Sequence, residues 1–277
     1  MFKTKPFFRE MVWGNPLLNE IFGVKVSENP LGEVWVLSDV EPGRTPIVKN
    51  GYVSKLDSSL AGLDLERFPL LVKVISSAEW LSIQVHPDDE LARELEGEPW
   101  GKTEGWYFLK GGEIALGRSR ESVLKALETG NWNDALDVID VYEGEFVFLP
   151  AGVVHTLGPG PVLIEIQQAS DLTYRLYDWG RPRELHVEKA KIAVKDFERS
   201  GILRGRINEF RCEYFGFEVV DSGMINGFKI VVFLEDGSIG GSTFKPFDTV
   251  LVEMDESVEL EGRAMVIELG EFWFDSR

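Results

Sequence analysis

A single cysteine, Cys212, excludes an internal disulfide, so the 277-residue chain must be held by its core alone. Hydrophobic residues at 44% and aromatics at 12% are enough to close one. Basic residues are scarce, 29 Lys and Arg against 47 Asp and Glu. The resulting net charge of −18 repels nucleic acid and anionic lipid at long range. Long apolar runs are missing as well, since none approaches the ~18 residues that span a bilayer. The opening MFKTKPFFREMVWG is broken by charge before the apolar stretch of a secretory leader could form. These absences lead us to expect a soluble, cytoplasmic protein with neither nucleic acid nor membrane as partner. An anionic small molecule stays open, because a few Arg and Lys in a cleft reverse the local sign within a Debye length of ~8 Å.

Repeated βαβ spacing is also lacking, which argues against a doubly wound parallel sheet. β-branched and aromatic runs recur instead: Glu33 to Leu37, Phe68 to Ile75, Trp80 to His86, Trp106 to Leu109, Phe146 to Leu149 and Val162 to Gln167. Turns such as KGGE (110–113), PAG (150–152) and GPGP (158–161) divide them. Helical signals are confined to insertions at about 87–97, 119–137 and 184–195, with Ser119 as a cap and Gly130 as a stop in the second. The pattern predicts a mostly β chain, an antiparallel sandwich or jelly roll with a few inserted helices. After about Arg206 the histidines and helices vanish, and Phe215 to Val220, Phe228 to Leu234, Phe247 to Met254, Arg263 to Leu269 and Phe272 to Phe274 read as strands. The expected division is a catalytic domain at 1–205 and a smaller β module at 206–277.

Histidine is rare, with only His86, His155 and His186 present. Gln84 and His86 share one face at the end of an apolar strand, because side chains at i and i+2 point the same way. Glu104 opens the next strand-like run, and His155 follows the Pro150-Ala151-Gly152 turn. Two imidazoles, a carboxylate and an amide oxygen would hold a divalent metal with zinc-like preference and leave a position for water or substrate. The alternative for any one histidine is hydrogen-bonded packing, and the spacings match no short zinc signature. Gly101-Lys102-Thr103 resembles the end of a phosphate-binding loop, yet position 96 is Glu96 where that loop requires glycine, and a helix precedes it where a strand is required.

Glu165 and Gln167 share a face of an otherwise apolar strand. A buried carboxyl there is either a proton-transfer group or half of an ion pair. Arg175, Arg181 and Arg183 follow, enough forked donors to hold a phosphate.

Four stretches together resemble one family: SIQVHPDDELA (82–92), GKTEGWYFL (101–109), LPAGVVHTLGPGPVLIEIQQASDLTYRLYDWGR (149–181) and RPRELHVEKA (181–190). They are similar to the type I mannose-6-phosphate isomerases, zinc-dependent cupins, over residues 7 to about 195. The resemblance implies a cupin-type double-stranded β-helix and interconversion of mannose 6-phosphate and fructose 6-phosphate through a cis-enediol. It implies one Zn2+ per chain on Gln84, His86, Glu104 and His155. It further implies catalytic roles for Glu165, Arg175 and Lys102, and substrate or phosphate contacts for Ser82 and Arg181. His186 lies in a matched stretch without a ligand role there, so capping or packing is its expected part. The competing expectations are a sugar-phosphate-binding cupin that does not turn over, and a different metal-dependent cupin enzyme such as an iron oxygenase.

Overall fold

The computed structural model describes residues 1–275. Among them no helix is long and apolar enough to cross a membrane. The chain forms two compact units, one of Arg9–Glu33 and Ile75–Arg206, the other of Met1–Phe8, Val34–Val74 and Ile207–Arg277.

The first unit is built on antiparallel sheets. One runs in the order Leu136–Val141, Gly112–Gly117, His155–Leu157, Ile83–Val85, Tyr174–Tyr177. The other includes, in order, Leu203–Arg206, Glu145–Leu149, Glu104–Lys110 and Val162–Gln168. Strand alternation decides which way each side chain faces. Ile114 and Leu116 of the first sheet pack with Trp106, Phe108, Leu149 and Leu163 of the second, closing a core between them. Ala115, Ile83, Val85, Tyr174 and Leu176 face the other way, under the helices that carry Val123, Ala126, Ala190 and Ala193. Two sheets facing across one core form the jelly roll of the cupin fold.

The inserted helices begin and end where their capping residues dictate. Asp88 accepts from the Leu91 amide at 2.9 Å to start Asp89–Glu96, and Gly97 ends it at φ 68°, a left-handed conformation that glycine adopts without a Cβ clash. Ser119 caps Arg120–Thr129 and Gly130 stops it. The helix is therefore shorter than the 119–137 expectation, and Leu136 already opens a strand. The third insertion is helical over Val187–Ala193.

In the second unit the long strands Phe215–Asn226 and Ser257–Leu269 pair antiparallel, and Lys229–Phe233 and Thr249–Val252 extend the sheet. Val231, Phe233, Val250, Val252, Leu260 and Val266 are its core. Phe2–Thr4 then pairs with Thr249–Val252 on one side and Ile47–Lys49 on the other. The β module is thus larger than residues 206–277, and the 1–205 segment supplies part of it, because Phe2 and Lys3 find their ladder partners at Leu251 and Val250. Phe272–Asp275 is a helical turn where a strand was expected. The Glu271 carbonyl accepts from the amides of Phe274 and Asp275, and buried Trp273 donates its indole N–H to the Tyr214 carbonyl at 2.6 Å.

Candidate metal centre

The register of the two sheets brings the polar groups together. Across three neighbouring strands His155 lies opposite Gln84, and Gln84 opposite Arg175. Residues directly opposite share a face, so these three side chains form a row. Their neighbours Ile83, Val85, Val154, Tyr174 and Leu176 belong to the helix-side core, which leaves the row facing inward. On the second sheet Glu104 lies opposite Gln167, and Trp106 opposite Glu165. Trp106 and Leu163 are inward core residues, so Glu104 and Glu165, two positions away on the same strands, face inward too.

His86, Glu104 and His155 converge there, with one ligand atom from each lying within 4.8 Å of the others. His86 Nε2 is 3.5 Å from Glu104 Oε2, and His155 Nε2 is 3.3 Å from Glu104 Oε1. The backbone fixes the ring tautomers. His86 Nδ1 is 2.8 Å from the Leu172 carbonyl and His155 Nδ1 is 3.0 Å from the Val153 carbonyl. A carbonyl only accepts, so each Nδ1 carries the proton and each Nε2 presents a lone pair. Both lone pairs are thus aimed at a carboxylate, and Glu104 Oε1, fully buried, has no hydrogen-bond donor. Two imidazole nitrogens and a carboxylate oxygen, converging in a buried site with one carboxylate oxygen left without a donor, form a ligand set that suits zinc. The residues present therefore fit a divalent metal.

Electrostatics agree. Burial and the adjacent Lys102 ammonium push His86 down to about 3, so its ring is neutral and free to ligate. Burial alone would raise the Glu104 carboxyl, but Lys102 and the two imidazoles outweigh it and hold Glu104 well below the usual carboxylate range. The Gln84 amide donates Nε2–H toward His155 Nε2 at 3.3 Å, and its oxygen accepts from Ser82 Oγ at 3.2 Å. A turn of the amide would exchange the two atoms and present oxygen to the centre.

Lys102 is buried, bonded to Glu104, 3.3 Å from His86 Nε2 and 3.8 Å from Glu165 Oε1. The other Glu165 oxygen accepts from the Trp106 indole N–H at 2.8 Å. Arg175 Nε is buried with no hydrogen-bond partner, and burial followed by Arg183 lowers the guanidinium's pKa. Arg181 donates to the Trp80 carbonyl at 2.5 Å and pairs with Asp178 at 3.0 Å, while its Nη1 lies 3.9 Å from Glu79 Oε2, beyond hydrogen-bond reach. Arg183 engages both oxygens of Asp178 at 2.6 Å, so it supports the loop rather than the centre. Gln167 turns its amide to the carbonyls of Gln168 and Ser170. Sequence reasoning missed Trp106 and the carbonyls of Val153 and Leu172. An indole two residues after Glu104 on the same face was the available signal for Trp106; the carbonyls left none.

Residues 1–103 match the family model of the type I phosphomannose isomerase catalytic domain. The mannose-6-phosphate isomerase of Streptococcus mutans is 38% identical over 200 residues, 65% of this chain and 63% of that protein, so the chain spans less than two thirds of its length. The crystal structure of mannose 6-phosphate isomerase from Bacillus subtilis superposes with a TM-score of 0.83 at 28% identity, over 96% of this chain and 98% of that one. A zinc-bound mannose 6-phosphate isomerase has the same fold, with a TM-score of 0.74 at 16% identity over 97% of this chain and 99% of that one. The chain is thus similar to type I phosphomannose isomerases in sequence over about two thirds of its length and in fold over nearly all of it.

Proposed function

We propose that the chain is a zinc-dependent aldose–ketose isomerase that interconverts mannose 6-phosphate and fructose 6-phosphate in the cytoplasm. The observation that carries this reading is the pair of imidazoles locked by backbone carbonyls so that both Nε2 atoms face Glu104. His86, Glu104 and His155 would hold one zinc ion, with Gln84 through its amide oxygen as a fourth ligand. Zinc held there supplies a Lewis acid that stabilises negative charge on sugar oxygens and orients the sugar. The catalytic unit is the one formed by Arg9–Glu33 and Ile75–Arg206.

The chain's own residues would move the protons. Glu165, oriented by the Trp106 N–H, takes the C2 proton of open-chain mannose 6-phosphate. The released electron pair forms the C1=C2 double bond while O1 gains a proton, giving the cis-enediol. Return of a proton to C1 and loss of the O2 proton restore a carbonyl at C2. Lys102, beside Glu165, relays protons to and from the sugar oxygens. Arg175 stabilises the negative charge that develops on them. Ser82 and Arg181, whose Nη1 has no hydrogen-bond partner, receive the phosphorylated sugar.

The test is a coupled assay for fructose 6-phosphate formed from mannose 6-phosphate. The chain should turn over with zinc and stop after chelation, and Arg175→Ala should keep its zinc yet lose turnover by about 100-fold or more. Binding of fructose 6-phosphate without any isomerised product would instead establish a non-catalytic sugar-phosphate binder.

A further inference from the structure

We propose that His186 is the residue that positions Arg175, an inference that rests on the catalytic reading of Arg175 given above. The Tyr174–Tyr177 strand lies at the edge of its sheet, paired on one side with Ile83–Val85. Its register slips between Arg175 and Tyr177, so Arg175 sits at a bulge, a feature that re-aims a side chain but leaves backbone groups to be satisfied elsewhere. His186 satisfies them. The Arg175 N–H donates to His186 Nδ1 at 3.2 Å, and the His186 N–H donates to the Arg175 carbonyl at 2.8 Å. One residue thereby takes the place of a further strand at the point from which the guanidinium departs.

The ring must be neutral with its proton on Nε2 to accept this bond. Burial and the nearby Arg175 charge lower the His186 pKa, in keeping with that state. His186 is itself anchored. It precedes the Val187–Ala193 helix but gives its side chain to Arg175 rather than to that helix as a cap. Lys189, one turn on, donates to Glu96 Oε1 at 2.7 Å, the oxygen that also accepts from Tyr174 Oη at 2.8 Å. The helix and the strand residue next to Arg175 are thus tied to one carboxylate. Arg175 itself has no hydrogen bond at Nε, which leaves the backbone anchor on His186 as a hydrogen-bonded contributor to its aim.

A double-mutant cycle tests this on the zinc-loaded chain, with mannose 6-phosphate as substrate. His186→Ala should lower kcat roughly 10–100-fold, the scale of a misplaced catalytic group, with KM and zinc content within about two-fold of the parent. His186→Asn, whose amide oxygen accepts where Nδ1 did, should recover most of the loss. The Arg175→Ala/His186→Ala double variant should be no slower than Arg175→Ala alone. If Arg175→Ala loses turnover but the two losses multiply in the double variant, or if His186→Asn recovers nothing, the positioning role is overturned while the catalytic reading of Arg175 stands. If Arg175→Ala keeps the parent kcat, both fall.

Discussion

Trp106 shows how much one buried donor can carry. Its indole N–H donates to a buried Glu165 oxygen at 2.8 Å, and a hydrogen bond to a charged group contributes about 1.5–3 kcal/mol. Trp106→Phe keeps most of the ring packing and removes the donor, so turnover should fall about 10- to 100-fold while zinc content is unchanged. Parent-like turnover in that variant would show that Glu165 needs no orientation. At this scale the centre was legible where residues were rare. Three histidines in the chain made His86 and His155 conspicuous, and Glu104 followed from the strand between them. Trp106 was hidden because its partnership with Glu165 is a cross-strand register, and no local pattern encodes register between strands about sixty residues apart. His186 was read as a cap or packing residue; its hold on Arg175 depends on a bulge that the sequence does not announce.

Among the elements, the helix ends were the easiest to foresee, since capping is local chemistry. Asp88 with Gly97 and Ser119 with Gly130 bound their helices in the structure. Two misreadings share one cause, that short segments take their form from tertiary partners. Phe272–Asp275 is aromatic enough for a strand, yet Trp273 reaches the Tyr214 carbonyl and closes a helical turn. Leu136–Val141 lies partly within the expected 119–137 insertion, but its alternating LDVIDV is a strand against Gly112–Gly117. The Asp89–Glu96 and Val187–Ala193 helices are joined through Glu96. Burial raises the Glu96 carboxyl, but Lys189 and Tyr174 outweigh it, so its pKa lies below the ordinary value of 4.5. A depressed carboxyl stabilises the fold above its unfolded pKa and ceases to do so as pH falls through the folded one. Glu96→Gln should therefore cost about 0.5–1 kcal/mol near pH 7 for this partly exposed pair, and progressively less below about pH 4.5. Urea melts of both proteins at pH 7 and pH 3.5 would check it, and a pH-independent difference would remove the charge from the explanation.

For the whole molecule, the change of texture near Arg206 was visible in composition, while the membership of the β module was not. Phe2 pairs with Leu251 across almost the full chain, and such non-local pairing leaves no trace in either segment alone. The unit that holds Ile207–Arg277 also contains Met1–Phe8 and Val34–Val74. A fragment of residues 1–206 would strip Phe2–Thr4 of its Thr249–Val252 partner and remove the core of Val231, Phe233, Val250 and Val266. That fragment should aggregate or melt without a cooperative transition, as judged by circular dichroism and gel filtration. A monomeric fragment with a native-like transition would mean that the N-terminal segments do not need the sheet they join.

The central claim is that the folded chain gathers His86, Glu104 and His155 around one functional zinc ion. Metal analysis of the purified chain and of Glu104→Gln, run alongside the mannose 6-phosphate assay, measures this most directly. The account predicts one zinc per chain in the parent and loss of both zinc and turnover in the variant. Full turnover by metal-free parent protein, or undiminished zinc and turnover in Glu104→Gln, would contradict it.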